Sequence, residues 1–402
     1  MDILLGLYDE ARGHLNAAVA IRREIHAHPE VGLDLPVTQA VVMRELEGLG
    51  LELHTGKSLS SVTAILDTGR EGPTVLLRGD MDALRLQEDT GLEFASKIDG
   101  VMHACCHDSH VAMLIEAAKL LKAREHDVRG KVIFMFQPGE EMYFGAKLMI
   151  DEGLLSYTES VDVAFAIHAS PLLPSGSIMT KSGAFMASAD EIFINVQGHG
   201  GHASMPHTAL DPIPVACEIV SNLQTMITRK IPAFDPAVLT IAHITAGTTT
   251  NVIPDTASME GTLRSVSQQT RELVAKEAVR VAEGIGAAHG LDVTARVEFG
   301  YPVTVNDHDV SVWVSDIAAD LFGQEQVIES PSPIMGAEDF SYVLNEVPGA
   351  MVFLGACPDG FGAWQAPGNH SNLMVMKEEC MSAGIALYAG VVLAKSSEFV
   401  AT

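Results

Sequence analysis

The chain has 402 residues, 47% of them hydrophobic and 19% charged, a balance typical of a globular protein with a substantial core, and its length predicts two domains. It has 25 basic against 52 acidic residues, and the formal net charge of −27 argues against nucleic acids and anionic membrane surfaces as partners. Five cysteines, two of them adjacent, predict no disulfide framework, and the first residues lack the basic region of a signal peptide. The apolar stretch at 385–394 is too short to span a bilayer, so we expect a cytoplasmic protein.

The first half of the chain alternates between helical and strand-like patterns. Two N-terminal segments with helical apolar spacing precede four strand-like runs, and a strong helix is predicted at 109–125. The strand-like runs cover 62–66, 74–77, 132–136 and 161–167. This alternation predicts a doubly wound α/β sheet with a substantial parallel component.

From about residue 184 the order of elements changes. Between residues 190 and 299, periodicity predicts a strand, a helix, two strands, a helix and a strand. The order β-α-β-β-α-β is that of a ferredoxin-like unit, whose sheet has one face without helices and is suited to dimerisation. We therefore expect a main α/β domain at 1–183 and 300–402, interrupted by an inserted domain at 184–299.

Residues that bind metals follow the ends of three predicted strands. Asp80 and Asp82 follow one strand, Glu140 and Glu141 another, and His168 a third, while a fourth segment, HACCHDSH, precedes the strong helix. Because ligands of open α/β sheets bind beyond the carboxyl ends of strands, these segments should meet in one crevice. Thiolate, imidazole and carboxylate together suit Zn²⁺ or a similar borderline ion.

Taken singly, each of these residues has an ordinary explanation. A carboxylate pair after a strand is usually a solvated loop, and one histidine at a strand end is usually a satisfied polar group. Cys105 and His107, two residues apart, are the stronger signal, because adjacent cysteines in a cytosolic enzyme are seldom structural. Their joint position at strand ends in one domain is what predicts a metal centre.

Nine segments resemble, in the same order, those of the aminoacylase and carboxypeptidase-type dinuclear metallohydrolases. Within that family the chain is most similar to the branch of hippurate hydrolases and plant indole-acetyl-amino-acid hydrolases. The segments begin at Arg23, and the resemblance extends to His370; they are REIHAHPEVG, LRGDMDAL, HACCHDSHVAML, FQPGEE, AIHASP, GHGGHASMPH, TTTNVIPD, GTLRS and GAEDFSYVL. The resemblance implies a metal-dependent amidohydrolase that cleaves small N-acyl amino acids to a carboxylic acid and a free amino acid.

The resemblance also implies the roles of residues in the main, catalytic domain. Two divalent ions, of Zn, Mn, Co or Ni, would be held by a set in which Cys105 is the bridge: Cys105, His107, Glu141, His168 and His370. Glu140 would be the general acid and base. Asp82 would orient a ligand histidine without binding metal, and Asp80 ranks below it as a candidate.

In the inserted domain, the resemblance implies three further site residues. His202 would stabilise the tetrahedral oxyanion, across the interface of a homodimer or higher oligomer. Asn251 and Arg264 would hold the free carboxylate of the substrate, for which the planar guanidinium fork is suited. The alternative for Arg264 is a surface ion pair.

The sequence departs from the family pattern in two places. Cys106 stands where the family usually has glycine, so it is either strained at a positive φ or an additional soft donor beside the metals. The segment after His370 lacks the usual proline, which makes His370 the least secure ligand. Two other functions remain open: a dipeptidase or carboxypeptidase on the same fold, and a non-catalytic binding protein.

Overall fold

The computed structural model describes residues 2–401, and its helices and strands alternate as the sequence predicts. The α-helices are α1 Leu7–Gly13, α2 Leu15–His26, α3 Pro36–Leu46, α4 His107–Ala123, α5 Gly145–Asp151, α6 Pro212–Lys230, α7 Gln268–His289, α8 His308–Phe322, α9 Ser341–Glu346 and α10 Met381–Ala401. The strands are β1 Glu52–Thr55, β2 Val62–Asp67, β3 Thr74–Asp80, β4 Lys131–Gln137, β5 Val163–Ser170, β6 Ile178–Thr180, β7 Gly183–Met186, β8 Ala189–Gln197, β9 Gly201–His202, β10 Ala237–Ala246, β11 Val252–Ile253, β12 Thr256–Ser265, β13 Asp292–Tyr301, β14 Thr304–Asn306, β15 Val327–Glu329 and β16 Gly349–Gly355.

The chain divides into two units. The larger contains the residues up to Gly183 together with Val305–Pro331 and the residues from Tyr342 onward. The smaller contains Ala184–Thr304 and Ser332–Ser341, so it takes in two short segments, 300–304 and 332–341, that the sequence analysis assigned to the main domain.

The larger unit is built on a mixed sheet with the strand order β1-β2-β4-β3-β5-β16-β6-β15. Its central strands are parallel: β3 pairs in this sense with β4 and β5, and β16 with β5. Strands β3, β5 and β16 are buried along their whole length, which explains their continuous apolar runs. The predicted parallel-rich α/β sheet is confirmed.

Helix α4 lies close against β3, and glycine makes this approach possible. A Cβ atom on Gly79 would lie 3.0 Å from the carbonyl oxygen of His110 in α4. Any larger side chain there would push the first turn of α4 away from the end of β3. The segment of α4 that begins with His107 is therefore held directly over the strand end.

Helix α10 is the core helix of the larger unit. The span Glu378–Val400 is long and apolar enough to cross a membrane by length and composition, but 89% of its most apolar window is buried within the protein. The sequence analysis judged only residues 385–394 as continuously apolar, whereas the helix continues to Ala401. The apolar composition of α10 is explained by its burial within the protein, because a helix that is buried on all sides is apolar on all sides.

The smaller unit contains β8, α6, β10, β12, α7 and β13 in chain order, and its antiparallel sheet has the strand order β10-β12-β8-β13. Alternate residues of β8 and β12 are buried, among them Ile192 and Ile194 of β8, and they share one core with Ile219 of α6 and Val274 of α7. A buried ion pair joins Arg271 of α7 to Asp190 of β8, with Nη2 and Oδ1 2.6 Å apart.

Candidate metal centre

Four segments of the larger unit bring the five predicted metal-binding side chains together. Cys105 precedes α4, His107 begins it, Glu141 follows β4, and His168 lies near the end of β5, which continues to Ser170. His370 comes from the loop after β16, where its amide donates a 2.7 Å hydrogen bond to the carbonyl of Ala104. The ends of neighbouring parallel strands therefore form the site.

The five predicted ligands form two overlapping groups. Cys105, His107 and His168 make up one, and Cys105, Glu141 and His370 the other, with the atoms of each group within 4.8 Å of one another. The Sγ atom of Cys105 belongs to both and lies 3.4 Å from Nε2 of His168. This arrangement could hold two ions with one shared thiolate.

In both buried histidines a main-chain carbonyl engages Nδ1, so Nε2 is the nitrogen available to an ion, and in His168 this Nε2 already faces Sγ of Cys105. Nδ1 of His168 lies 2.9 Å from the carbonyl oxygen of Ala169, and Nδ1 of His107 lies 2.9 Å from that of Asp82. A carbonyl oxygen only accepts, so both Nδ1 atoms carry the proton. Nε2 of His107 is buried and makes no hydrogen bond among residues 2–401, although Oδ2 of Asp80 lies 3.4 Å away, so this nitrogen is available to an ion.

Asp82 connects two of the ligand-bearing segments. Its carboxylate accepts hydrogen bonds from the amides of Glu140 at 2.9 Å and Glu141 at 3.0 Å, while its carbonyl accepts the bond from His107. One residue thus sets both the orientation of a histidine ring and the position of the two glutamates. The carboxylate of Glu140 is buried, and it groups with His107 and Glu141 within 4.8 Å.

A buried network beneath the site was missed by the sequence analysis. Asp80 receives a 2.6 Å ion pair from Arg78 and a 2.5 Å hydrogen bond from Nδ1 of His110, and Nε2 of His110 accepts from the amide of Ala169 at 2.8 Å. Asp80 is therefore linked through His110 to the end of β5, and its carboxylate also lies within 4.8 Å of ring nitrogens of His107 and His110. The spacing of His107 and His110 on one helical face was the available signal.

Asn369 is a second residue that the sequence analysis did not single out. Its Nδ2 donates to the carbonyl of Ala169 at 3.2 Å and lies 3.9 Å from Sγ of both Cys105 and Cys106. It ties the loop that carries His370 to the strand that carries His168.

The pKa values of the buried groups show an excess of negative charge. Burial raises the pKa of the Cys105 thiol well above its usual value, and the neighbouring carboxylates of Glu141 and Glu140 add to this effect. Burial opposes a charge on His107, but Asp80 and then Asp82 raise its pKa to about 10. Surroundings that favour a proton on this ring would equally favour a metal cation. A bound cation would in turn stabilise the thiolate form of Cys105. The residues present therefore fit a metal pair.

Backbone strain is concentrated in the same place. In the described part of the chain, the non-glycine residues with positive φ are Cys106, Met142, Phe144, Trp364 and His370, all between 60° and 68°. Each stands on, or in the loop leading to, a segment that carries a candidate ligand. Such conformations cost roughly 1–3 kcal/mol each and persist where the surrounding structure enforces them, typically at functional sites.

The structure answers the question raised by Cys106. Its φ is 68°, so it occupies the left-handed conformation that glycine adopts without strain. Its Sγ is buried 3.7 Å from Sδ of Met374, and it belongs to none of the ligand groups found among residues 2–401. Cys106 is therefore a strained core residue and not an additional donor.

The three site residues predicted for the inserted domain lie in the smaller unit. His202 of β9 pairs with Val252 of β11, and the amide of Ala203 donates to the carbonyl of Asn251 at 3.1 Å, so His202 and Asn251 are neighbours. Nδ1 of His202 accepts from the hydroxyl of Ser204 at 2.8 Å, which leaves Nε2 for another partner. Arg264 lies on β12, and burial lowers the pKa of its guanidinium.

Comparison with known proteins gives consistent results. Residues 76–394 match the model of peptidase family M20/M25/M40. An N-acetylcysteine deacetylase of Bacillus subtilis (strain 168) is 40% identical over 354 residues, 87% of this chain and 90% of the relative. IAA-amino acid hydrolase ILR1-like 2 of Arabidopsis thaliana is 37% identical over 379 residues, 93% of this chain and 84% of the relative. A Bacillus subtilis crystal structure described as a dinuclear metal binding peptidase of the M20 family superposes with a TM-score of 0.83 at 33% identity, covering 96% of this chain and 99% of the other.

Proposed function

This chain belongs to peptidase family M20/M25/M40, and we infer that it is a metal-dependent amidohydrolase that cleaves N-acyl amino acids to a carboxylic acid and a free amino acid. The observation that carries the inference is the pair of ligand groups that share Sγ of Cys105. Relatives named as a deacetylase and as an amino acid hydrolase support the same reaction.

We propose that Cys105, His107 and His168 hold one divalent ion and that Cys105, Glu141 and His370 hold the other. Zn²⁺, Mn²⁺, Co²⁺ and Ni²⁺ all suit thiolate, imidazole and carboxylate donors. When bound, the ions supply the positive charge that polarises the amide carbonyl and acidifies the attacking water.

We propose that Glu140 is the general acid and base. Its carboxylate is buried beside Glu141, and its amide is fixed by Asp82, so it can take a proton from the attacking water and return it to the leaving amine. A base positioned in this way contributes ~10²–10⁴-fold to the rate.

We propose that the smaller unit, whose long elements follow the order β8, α6, β10, β12, α7 and β13, is a ferredoxin-like domain that serves as lid and dimer interface. His202 would stabilise the tetrahedral oxyanion through Nε2. Arg264 and Asn251 would hold the substrate carboxylate, since a guanidinium fork binds carboxylate in a bidentate manner. The protein would act in the cytoplasm as a homodimer or higher oligomer.

The test of the reaction is release of free amine by chelator-treated protein before and after Mn²⁺, Zn²⁺ or Co²⁺ is restored. N-acetyl, N-benzoyl and long-chain N-acyl amino acids are compared with dipeptides. Metal-restored hydrolysis of the N-acyl amino acids is expected. Hydrolysis of dipeptides alone would move the function to a dipeptidase, and metal binding without any hydrolysis would indicate a binding protein.

The assignment of the two adjacent glutamates has its own test. Glu140→Gln is expected to lower kcat by ~10²-fold or more while the protein still binds two metals, because a general base is lost but no ligand. Glu141→Gln is expected to lose metal. The opposite pattern in metal content would show that the two roles are exchanged.

A further inference from the structure

Two consecutive residues of the loop after β16 contact two of the segments that carry candidate ligands. The amide of His370 donates a 2.7 Å hydrogen bond to the carbonyl of Ala104, the residue before Cys105. Nδ2 of Asn369 donates to the carbonyl of Ala169 in β5 at 3.2 Å. The side chain of Asn369 is therefore held between the start of α4 and the end of β5.

The orientation of the Asn369 amide is set by Ala169. A carbonyl oxygen only accepts, so the nitrogen of the side chain, and not its oxygen, faces this carbonyl. An amide nitrogen carries two protons, of which the bond to Ala169 uses one. The other is left for the two sulfur atoms near Nδ2, Sγ of Cys105 and Sγ of Cys106, each 3.9 Å away. Hydrogen bonds to sulfur are longer than those to oxygen, because the sulfur atom is larger.

The other groups around Cys105 oppose a negative charge on its sulfur. Burial raises the pKa of the thiol, and the carboxylates of Glu141 and Glu140 raise it further. Nε2 of His168 lies 3.4 Å from Sγ but carries no proton, because the proton of this ring is on Nδ1. The amide of Asn369 is a neutral donor that lies beside the sulfur and does not depend on pH.

We propose that Asn369 is a positioning residue that donates its second amide proton to the Cys105 thiolate when the ions are bound. The proposal rests on the proposed function, in which the two ions share this sulfur. A charged acceptor attracts the proton more strongly than the neutral thiol of Cys106 does, so the hydrogen bond forms to Cys105. A thiolate that accepts a hydrogen bond donates less charge to its ions, which keeps them more positive toward the substrate carbonyl.

The Co²⁺-loaded protein reports on the shared sulfur directly, because a thiolate bound to Co²⁺ gives a charge-transfer absorption in the near ultraviolet. Asn369→Leu replaces the amide by an apolar group of similar size. We expect this variant to bind as many Co²⁺ ions as the wild type, to shift the charge-transfer band to longer wavelength, and to lower kcat about tenfold. Asn369→Ala, which adds no bulk, should shift the band in the same direction.

The visible bands of Co²⁺ distinguish donation to sulfur from placement of the loop, since they report the number and geometry of the ligands. These bands should be unchanged in both variants. Asn372→Leu, the same substitution in the same loop, is the control, because Asn372 contacts Asp89 through its main-chain carbonyl. The control should alter neither the absorption bands nor kcat.

An unshifted charge-transfer band in both variants of Asn369 would overturn the proposal. Loss of Co²⁺ or altered visible bands would also overturn it, because Asn369 would then only hold the loop in place. Hydrolysis by the wild type would leave the amidohydrolase function intact in either case. A wild type that binds Co²⁺ without a thiolate band would instead refute the shared-thiolate centre on which the proposed function rests.

Discussion

The carbonyl oxygen of Asp82 lies 2.9 Å from Nδ1 of His107, while the carboxylate of the same aspartate holds the amides of Glu140 and Glu141. One residue therefore connects the end of β3, the start of α4 and the segment after β4. The family resemblance implies that Asp82 orients a histidine. In the structure it does so mainly through its main chain, since its Oδ1 is 3.6 Å from the same nitrogen.

Replacement of Asp82 should therefore disturb the glutamates more than the histidine. In Asp82→Asn, one of the two acceptors for the amides of Glu140 and Glu141 becomes an amide donor, while the carbonyl that binds His107 is unchanged. We expect a roughly 10–100-fold loss of metal affinity or activity, the range typical of residues that support ligands. Metal titration and steady-state kinetics measure it, with Asp99→Asn at an exposed position as control. Wild-type values would show that Asp82 does not position the glutamates.

Cys106 allows strain to be separated from metal binding. Cys106→Ala keeps a strained residue at positive φ, whereas Cys106→Gly removes both thiol and strain, so the glycine variant should be more stable than the alanine variant by about 1 kcal/mol. Urea unfolding gives this difference. Both variants should bind the same number of metal ions as the wild type. A loss of metal in both would show that Cys106 is a metal ligand in the wild type.

His26 predicts a pH dependence of stability. Burial lowers the pKa of its ring, but hydrogen bonds to Asp108 and Glu88 outweigh this effect and raise it to about 9, while Arg22 nearby opposes the charge. Because the folded pKa lies above the ordinary value of 6.5, the stabilisation is complete below pH 6.5 and is lost as the pH rises through 9. It amounts to about 3 kcal/mol at most.

Unfolding free energies measured by urea at pH 6.5 and pH 9.5 test this dependence. His26→Asn should be less stable than the wild type at pH 6.5, and the difference should shrink towards pH 9.5. His126→Asn, at an exposed position on the surface of the larger unit, is the control. A difference that is constant with pH would mean that His26 is neutral in the folded protein.

Loss of the buried ion pair between Arg271 and Asp190 should strongly destabilise the smaller unit. Asp190 accepts from Nε and Nη2 of Arg271, whose Nη2 also donates to the carbonyl of Gly300 at 2.9 Å. Arg271→Leu leaves a buried carboxylate without its cation, which costs ~3–5 kcal/mol. Arg280→Leu, from an exposed pair on the same helix, should have little effect. Limited proteolysis of the smaller unit would reveal the difference, and equal resistance of both variants would contradict it.

The helices and strands of the larger unit could be predicted from the sequence because buried elements have characteristic local patterns of apolar residues. Continuous apolar runs at β3, β4 and β5 and the helical stripe of α4 depend on neighbours along the chain, so their type and order could be inferred. Their ends were less certain: β5 extends past His168 to Ser170, because pairing with β16 continues there and pairing is a non-local property.

For the site, the sequence by itself determined which residue types are available and in what order. The choice of Cys105, His107 and Glu141 followed from motif resemblance, and the structure brings these side chains together. Only the tertiary structure decided how the donors divide into two groups, which histidine nitrogens carry protons, and that Asp80 is occupied by Arg78 and His110. These properties depend on distances between segments far apart in the chain and on backbone angles such as that of Cys106, which no local pattern encodes.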